Sequence, residues 1–236
     1  MEFSNTKNNN YNIGNPQSRD MSTRAFGIEK QSFDMIESEI GNHGYIDNEW
    51  AVVRRVIHAT ADFDFAKKDR IIFHEKAIES AFLAFSKKSF VVTDVEMVLH
   101  GINKKSLLDL NLTGVCLIND PQLKEISRKS NKTRSELAMR KAADRINGGI
   151  VIIGNAPTAL YELISMIKEK KTLPLLVIGI PVGFVSAVES KTDLSKMDVP
   201  YITNIGRKGG SSAASSIINS LMLLYSARRS KSLNTT

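Results

Sequence analysis

Two apolar runs near the C-terminus constrain this chain most. One is GIVIIGNAPTAL, residues 149–160, and the other is LLVIGIPVGFVSAVESK, Leu175–Lys191. Each is a continuous apolar stretch, then a glycine-containing turn, then a helical pattern. A stretch with no polar alternation must be covered on both faces, which is the condition of a parallel strand packed between helices. The turns then fall at the carboxyl ends of the strands, where such sheets bind ligands. They read Gly154-Asn155-Ala156-Pro157-Thr158 and Gly179-Ile180-Pro181-Val182-Gly183. Neither has the wording of a nucleotide loop.

The same grammar recurs along the chain. Strands are predicted at Phe90–Thr93, Val115–Ile118, Ile150–Ile153, Leu175–Ile178 and Tyr201–Ile205. Helices are predicted from Ile28 to Ile40, after Asp47, over Glu75–Lys87, and over Arg134–Ile146, Thr158–Lys168 and Ser211–Leu224. Strands alternating with helices mean an α/β fold, three layers deep, with a parallel sheet in the middle. Residues 1–24, rich in Asn, Ser and Thr, read as a disordered tail. Residues 25–229 read as one domain, and 230–236 as a loose C-terminal tail.

Of 236 residues, one is cysteine, which excludes an internal disulfide and a multi-cysteine metal site. Cys116 lies in the apolar segment VCLI and reads as a small core residue. No run is long enough to span a membrane and the N-terminus lacks an apolar signal region, so the expected location is cytoplasmic. The net charge of +7 suits an anionic partner, either nucleic acid or an anionic small molecule, although a basic surface alone accounts for it. Aromatic residues do not interleave with the Lys and Arg, which argues against a platform for single-stranded nucleic acid.

His58 is the first candidate for chemistry. Arg54, His58 and Asp62 follow at four-residue steps and can share one helix face, with Arg55 beside them. An aspartate there would raise the imidazole pKa and an arginine lower it, poising the ring as acid or base near neutrality. A lone helical histidine is more often structural. No His or carboxylate spacing suggests a metal site. The turns are the second candidate. Backbone N–H groups at helix starts bind anions, and Pro157 suits a first helical turn. Asn155 adds a side-chain amide, and Gly183 admits close backbone approach. Gly206-Arg207-Lys208-Gly209-Gly210-Ser211 puts two cations at another helix start. Thr133-Arg134-Ser135 opens a further helix, and its arginine can grip a carboxylate. These segments contain no Walker loop, GxGxxG or GxSxG.

Taken together, RVIHA at Arg55–Ala59, TDVEMVLHGI at Thr93–Ile102, IGNAPTAL at Ile153–Leu160, PVGFVSAVESK at Pro181–Lys191, VPYI at Val199–Ile202 and GRKGGS at Gly206–Ser211 resemble the precorrin-8X methylmutases. Ser32-Phe33 belongs to the same resemblance, which runs in order from about Ile28 to Leu224. The resemblance implies a flavodoxin-like, five-stranded parallel sheet and a homodimer with sites near the subunit interface. It implies an isomerase of cobalamin biosynthesis that moves a methyl group from carbon 11 to carbon 12 of precorrin-8 or its cobalt complex, giving hydrogenobyrinate or cobyrinate. It implies that His58 is catalytic and that Ser32, Arg55 and Arg134 touch substrate. Such a substrate is an apolar macrocycle fringed with carboxylates. Amides at Asn155, Gly183 and Gly209, with Arg55, Arg134, Lys191, Arg207 and Lys208, are the expected donors around its rim. No cofactor or protein-bound metal is expected, since any cobalt arrives inside the substrate; nor is nucleic acid or a membrane a partner. The segment Asn103–Gly114 follows the family only loosely, so Lys104 and Lys105 are weaker candidates. A non-catalytic corrinoid carrier is the alternative, and a nucleotide or nucleic-acid binder a third reading.

Overall fold

In the computed structural model, residues 23–67 and 70–233 are described; residues 1–22, read as tail, and 234–236 lie outside them. Six strands form one sheet: β1 Ile71–Phe73, β2 Phe90–Thr93, β3 Thr113–Cys116, β4 Ile150–Ile153, β5 Leu176–Gly179 and β6 Tyr201–Asn204, in the order β1-β6-β5-β4-β2-β3. The five strands from β2 to β6 are parallel, and β1 pairs antiparallel with β6, Ile71 opposite Asn204 and Phe73 opposite Ile202. Read in chain order, the parallel five follow the 2-1-3-4-5 arrangement of flavodoxin-like sheets, with the switch point between β2 and β4. The expectation of five strands is therefore corrected by one antiparallel edge strand.

Burial explains the apolar runs. Along β4, Ile150 and Ile152 face one core, while Val151 and Ile153 face the other. This is the two-residue alternation of a strand covered on both sides. Helices α2 (Asp47–Thr60), α3 (Ala77–Ser86), α4 (Glu96–Gly101) and α11 (Ser211–Leu233) cover the first face. Helices α7 (Arg134–Lys141), α8 (Ala143–Ile146), α9 (Pro157–Lys168) and α10 (Ala187–Leu194) cover the second. The helix expected over Arg134–Ile146 is two, broken at Ala142. Short helices α5 (Lys104–Asp109) and α6 (Pro121–Lys129) lie against α11 and α7. Both tail boundaries shift: helix α1 (Thr23–Ile40) includes residues 23 and 24, and α11 carries the fold on through Leu233.

Helix α2 places the histidine. Val53, Val56 and Ile57 are fully or almost fully buried, each contributing roughly 1.5–3 kcal/mol. Ser220 Oγ on α11 donates to the Ala51 carbonyl, and Lys208, just before α11, reaches Asp62, just after α2. The two helices therefore run antiparallel, and the C-terminal turn of α2 meets the N-terminus of α11. Helix α1 leans on α2 with only Ile36 buried.

Candidate active site

His58 is exposed in the last turn of α2. The helix stops at Thr60 because Ala61 turns left-handed, φ 52°, and donates its N–H to the Ile57 carbonyl. Asp62 therefore does not continue the face of Arg54 and His58, as the spacing suggested. Its carboxylate accepts from the Asp64 N–H and binds Lys208 at 2.7 Å. The neighbours of His58 come from α1 instead. The Phe33 ring lies 5.1 Å from the imidazole, with the Arg54 and Arg55 guanidiniums 4.5 and 5.1 Å from the same ring. Arg55 pairs with Glu29 at 3.0 Å, and Arg54 with Glu37 at 2.5 Å. Partial burial and the Arg55 cation hold the His58 pKa below its ordinary value, against the pull of Glu29. Ser32, one residue before Phe33, gives its hydroxyl to the Ile28 carbonyl in its own helix.

At the carboxyl edge of the sheet the turns converge. The first is already filled. Asp94, directly after β2 and fully buried, accepts from the N–H groups of Gly154, Asn155 and Ala156 at 3.1, 2.8 and 2.7 Å. The switch point of the sheet thus contains the protein's own carboxylate, and the Asn155 backbone N–H is spent on it, while its side chain is exposed. Burial raises the Asp94 pKa, and the three backbone donors oppose that rise. The Gly183 N–H is also spent, on the Arg207 carbonyl at 3.1 Å. Both expected amide donors are corrected for the same reason: the turns satisfy themselves or each other.

The 206–210 loop is different. The Gly209 N–H donates to no group among the described residues, and it sits just before the free N–H groups of the first turn of α11. Arg207 is exposed without a carboxylate partner among the described residues, its guanidinium 5.5 Å from the Phe184 ring. Phe184 and Val185 are 83% and 82% exposed, an apolar tip beside that cation. Arg134 is likewise exposed and unpaired among the described residues; the neighbouring Thr133 bonds Thr158 at the start of α9, so Arg134 stands by the same edge. Lys208 is not available, being held by Asp62 and by Asp64 at 2.6 Å. Lys191 does not reach the surface: it is 2% exposed, and its ammonium bonds Asn204 Oδ1 and the Lys208 carbonyl. Lys104 and Lys105 are exposed on α5. No group of His, Cys, Asp and Glu among the described residues is arranged to hold a metal ion.

The profile of a family described as precorrin-8X methylmutase matches residues 27–224 of the chain. The chain belongs to that family. Among its relatives, a cobalt-precorrin-8 methylmutase of Priestia megaterium is 46% identical over 197 residues, 84% of this chain and 87% of the relative. The cobalt-precorrin-8 methylmutase of Leptospira interrogans is 42% identical over 209 residues, covering 85% and 94%. The crystal structure of the precorrin-8X methylmutase of Thermus thermophilus superposes with a TM-score of 0.78 at 35% identity, covering 86% of this chain and 98% of that one. The match thus extends over α1 and α2 as well as the sheet, so the Phe33–His58 cluster and the open 206–210 loop both lie inside the matched region. Sequence reading of this family member missed Asp94, Glu29 and Asn204. The first had a signal: a carboxylate at the end of a buried strand, beside a switch point. The other two act across helices or loops, which spacing does not report.

Proposed function

We propose that this methylmutase, an isomerase of cobalamin biosynthesis, moves a methyl group within precorrin-8 from carbon 11 to carbon 12. One carbon–carbon bond breaks at carbon 11 and one forms at carbon 12, so atoms balance without hydride, phosphate or external methyl donor. The relatives named for cobalt-precorrin-8 support a substrate that already carries cobalt, giving cobyrinate; the metal-free counterpart would give hydrogenobyrinate. The chain then needs no cofactor of its own.

The observation that carries this reading is the exposed His58 on the α2 turn that is tied, through Asp62 and Lys208, to the open end of α11. His58 is the proton donor and acceptor. Protonation withdraws electron density from the ring system and lowers the barrier to migration, and return of the proton leaves the isomer. Its lowered pKa favours the neutral imidazole in the free site; the carboxylates of a bound corrinoid raise it toward the protonated form. Phe184 and Val185 cover an apolar macrocycle face, while Arg207, Arg134, the Gly209 amide and the Asn155 side chain receive rim carboxylates. Ser32 and the Arg55–Glu29 pair complete the wall beside His58. Fixing the macrocycle in one pose supplies further rate.

We also read the protein as a cytoplasmic homodimer; no helix among the described residues is long and apolar enough to cross a membrane. Absorbance and mass analysis after incubation with cobalt-precorrin-8 tests the function. A bound corrinoid of unchanged mass and shifted spectrum is expected. Recovery of unchanged substrate would leave a carrier.

A further inference from the structure

Lys191 is a chemical oddity. Its side chain is buried, and no carboxylate lies within ion-pairing distance among the described residues. Burial, with the Arg70 cation nearby, lowers its pKa to about 8. A methionine would fill the same space without the penalty of desolvating an ammonium. What the ammonium supplies is hydrogen bonds: 3.1 Å to Asn204 Oδ1 and 2.8 Å to the Lys208 carbonyl. Asn204 Nδ2 donates to that same carbonyl at 2.7 Å. The Lys208 oxygen is therefore drawn inward by two donors on two elements, α10 and the end of β6.

The peptide plane converts this into a statement about the next residue. The 208–209 bond is trans, so its N–H points opposite to its carbonyl. Pulling the Lys208 oxygen into the protein turns the Gly209 N–H out of it. Gly209 completes the arrangement because its φ is +147° and a Cβ there would sit 2.3 Å from the Ile180 carbonyl oxygen. The Gly210 N–H, bonded to that oxygen at 2.9 Å, fixes the other side of the loop. The Lys208 side chain, held by Asp62 and Asp64, ties the same residue to the α2 corner beyond His58.

We propose that Lys191 is a positioning residue: with Asn204 it orients the 208–209 peptide so that the Gly209 amide faces a carboxylate of the bound corrinoid. Lys191 touches no substrate atom. This rests on the function proposed above, and the test separates the two.

Lys191→Met and Asn204→Ala cut the link from opposite sides, so one remains informative if the other fails to fold. In ligand-free protein, amide NMR should show the Gly209 resonance moved and the Gly210 amide exchanging about tenfold faster in either variant, with the sheet core unchanged. Titration with cobyrinate followed by absorbance should show product binding weakened about tenfold, and turnover of cobalt-precorrin-8 should show KM raised by a similar factor, with kcat changed far less. The double variant should be no worse than the worse single one, because both remove one linkage. Unchanged Gly209 and Gly210 amides would overturn the proposal even if the enzyme is active. Shifted amides with wild-type product binding and KM would overturn the carboxylate role. If wild-type protein neither binds nor converts a corrinoid, the functional reading falls, and the amide measurements still decide whether Lys191 orients the peptide.

Discussion

The β4–α9 turn and the β6–α11 loop are built from the same parts, a buried parallel strand followed by small residues and a helix start, yet they end in opposite states. In the first, Asp94 takes up three N–H groups, at Gly154, Asn155 and Ala156, so the anion site is occupied by the protein itself. In the second, two donors hold the Lys208 carbonyl from inside and the Gly209 N–H is left unspent. A helix start at a sheet edge keeps free N–H groups for a ligand only where no carboxylate of the chain takes them up. The usual crevice of this fold, at the switch point, is closed by Asp94. The proposed function therefore puts binding toward α11, where the turn of α2 bearing His58 also lies.

The contrast can be broken at several points. Asp94→Ala should have the largest effect, since three backbone donors lose their buried acceptor; a loss of about 3 kcal/mol or more is expected, seen as a fall of roughly 10 °C in Tm. Gly209→Ala should cost about 2–3 kcal/mol by thermal denaturation, because the added methyl meets the Ile180 backbone rather than a movable side chain. Arg207→Ala should leave Tm within a degree or so yet weaken product binding about tenfold, with most of the loss reproduced in wild-type protein by raising salt. Asn155→Ala should do least to stability, since its exposed side chain does not hold the turn.

A pH prediction sharpens the His58 side. The folded pKa lies below the ordinary imidazole value of 6.5, so between 6.5 and that lower value the unfolded chain binds a proton that the fold does not. Stability should therefore fall as pH drops through this window, and His58→Gln should reduce that slope in denaturation curves, the remainder coming from His43, whose pKa burial also lowers. If His58 acts as the acid, kcat/KM should decline as pH rises through its lowered free-enzyme pKa.

Much of the fold was readable because runs such as Ile150–Ile153 have only one physical explanation, burial on both faces. Strand β1 was not: Ile71–Phe73 is a three-residue edge, too short for any pattern, and its place depends on pairing with β6. His58 and the 206–210 loop were legible from residue types and order. The fate of each donor was not. Asn155 and Gly183 read as open amides until their acceptors, Asp94 and the Arg207 carbonyl, were placed by tertiary structure. Asp62 read as a neighbour of His58 because helical spacing was carried past Thr60, where a left-handed Ala61 ends the helix. Lys191 read as a rim cation because charge in a sequence carries no depth.

In the proposed function, chemistry comes from His58 while binding comes from the sheet edge beside α11. Turnover and product binding measured together on His58→Ala test it most directly. Conversion of cobalt-precorrin-8 should fall by roughly a hundredfold or more while cobyrinate binds within a few-fold of wild type. Full turnover in a folded His58→Ala protein would contradict it.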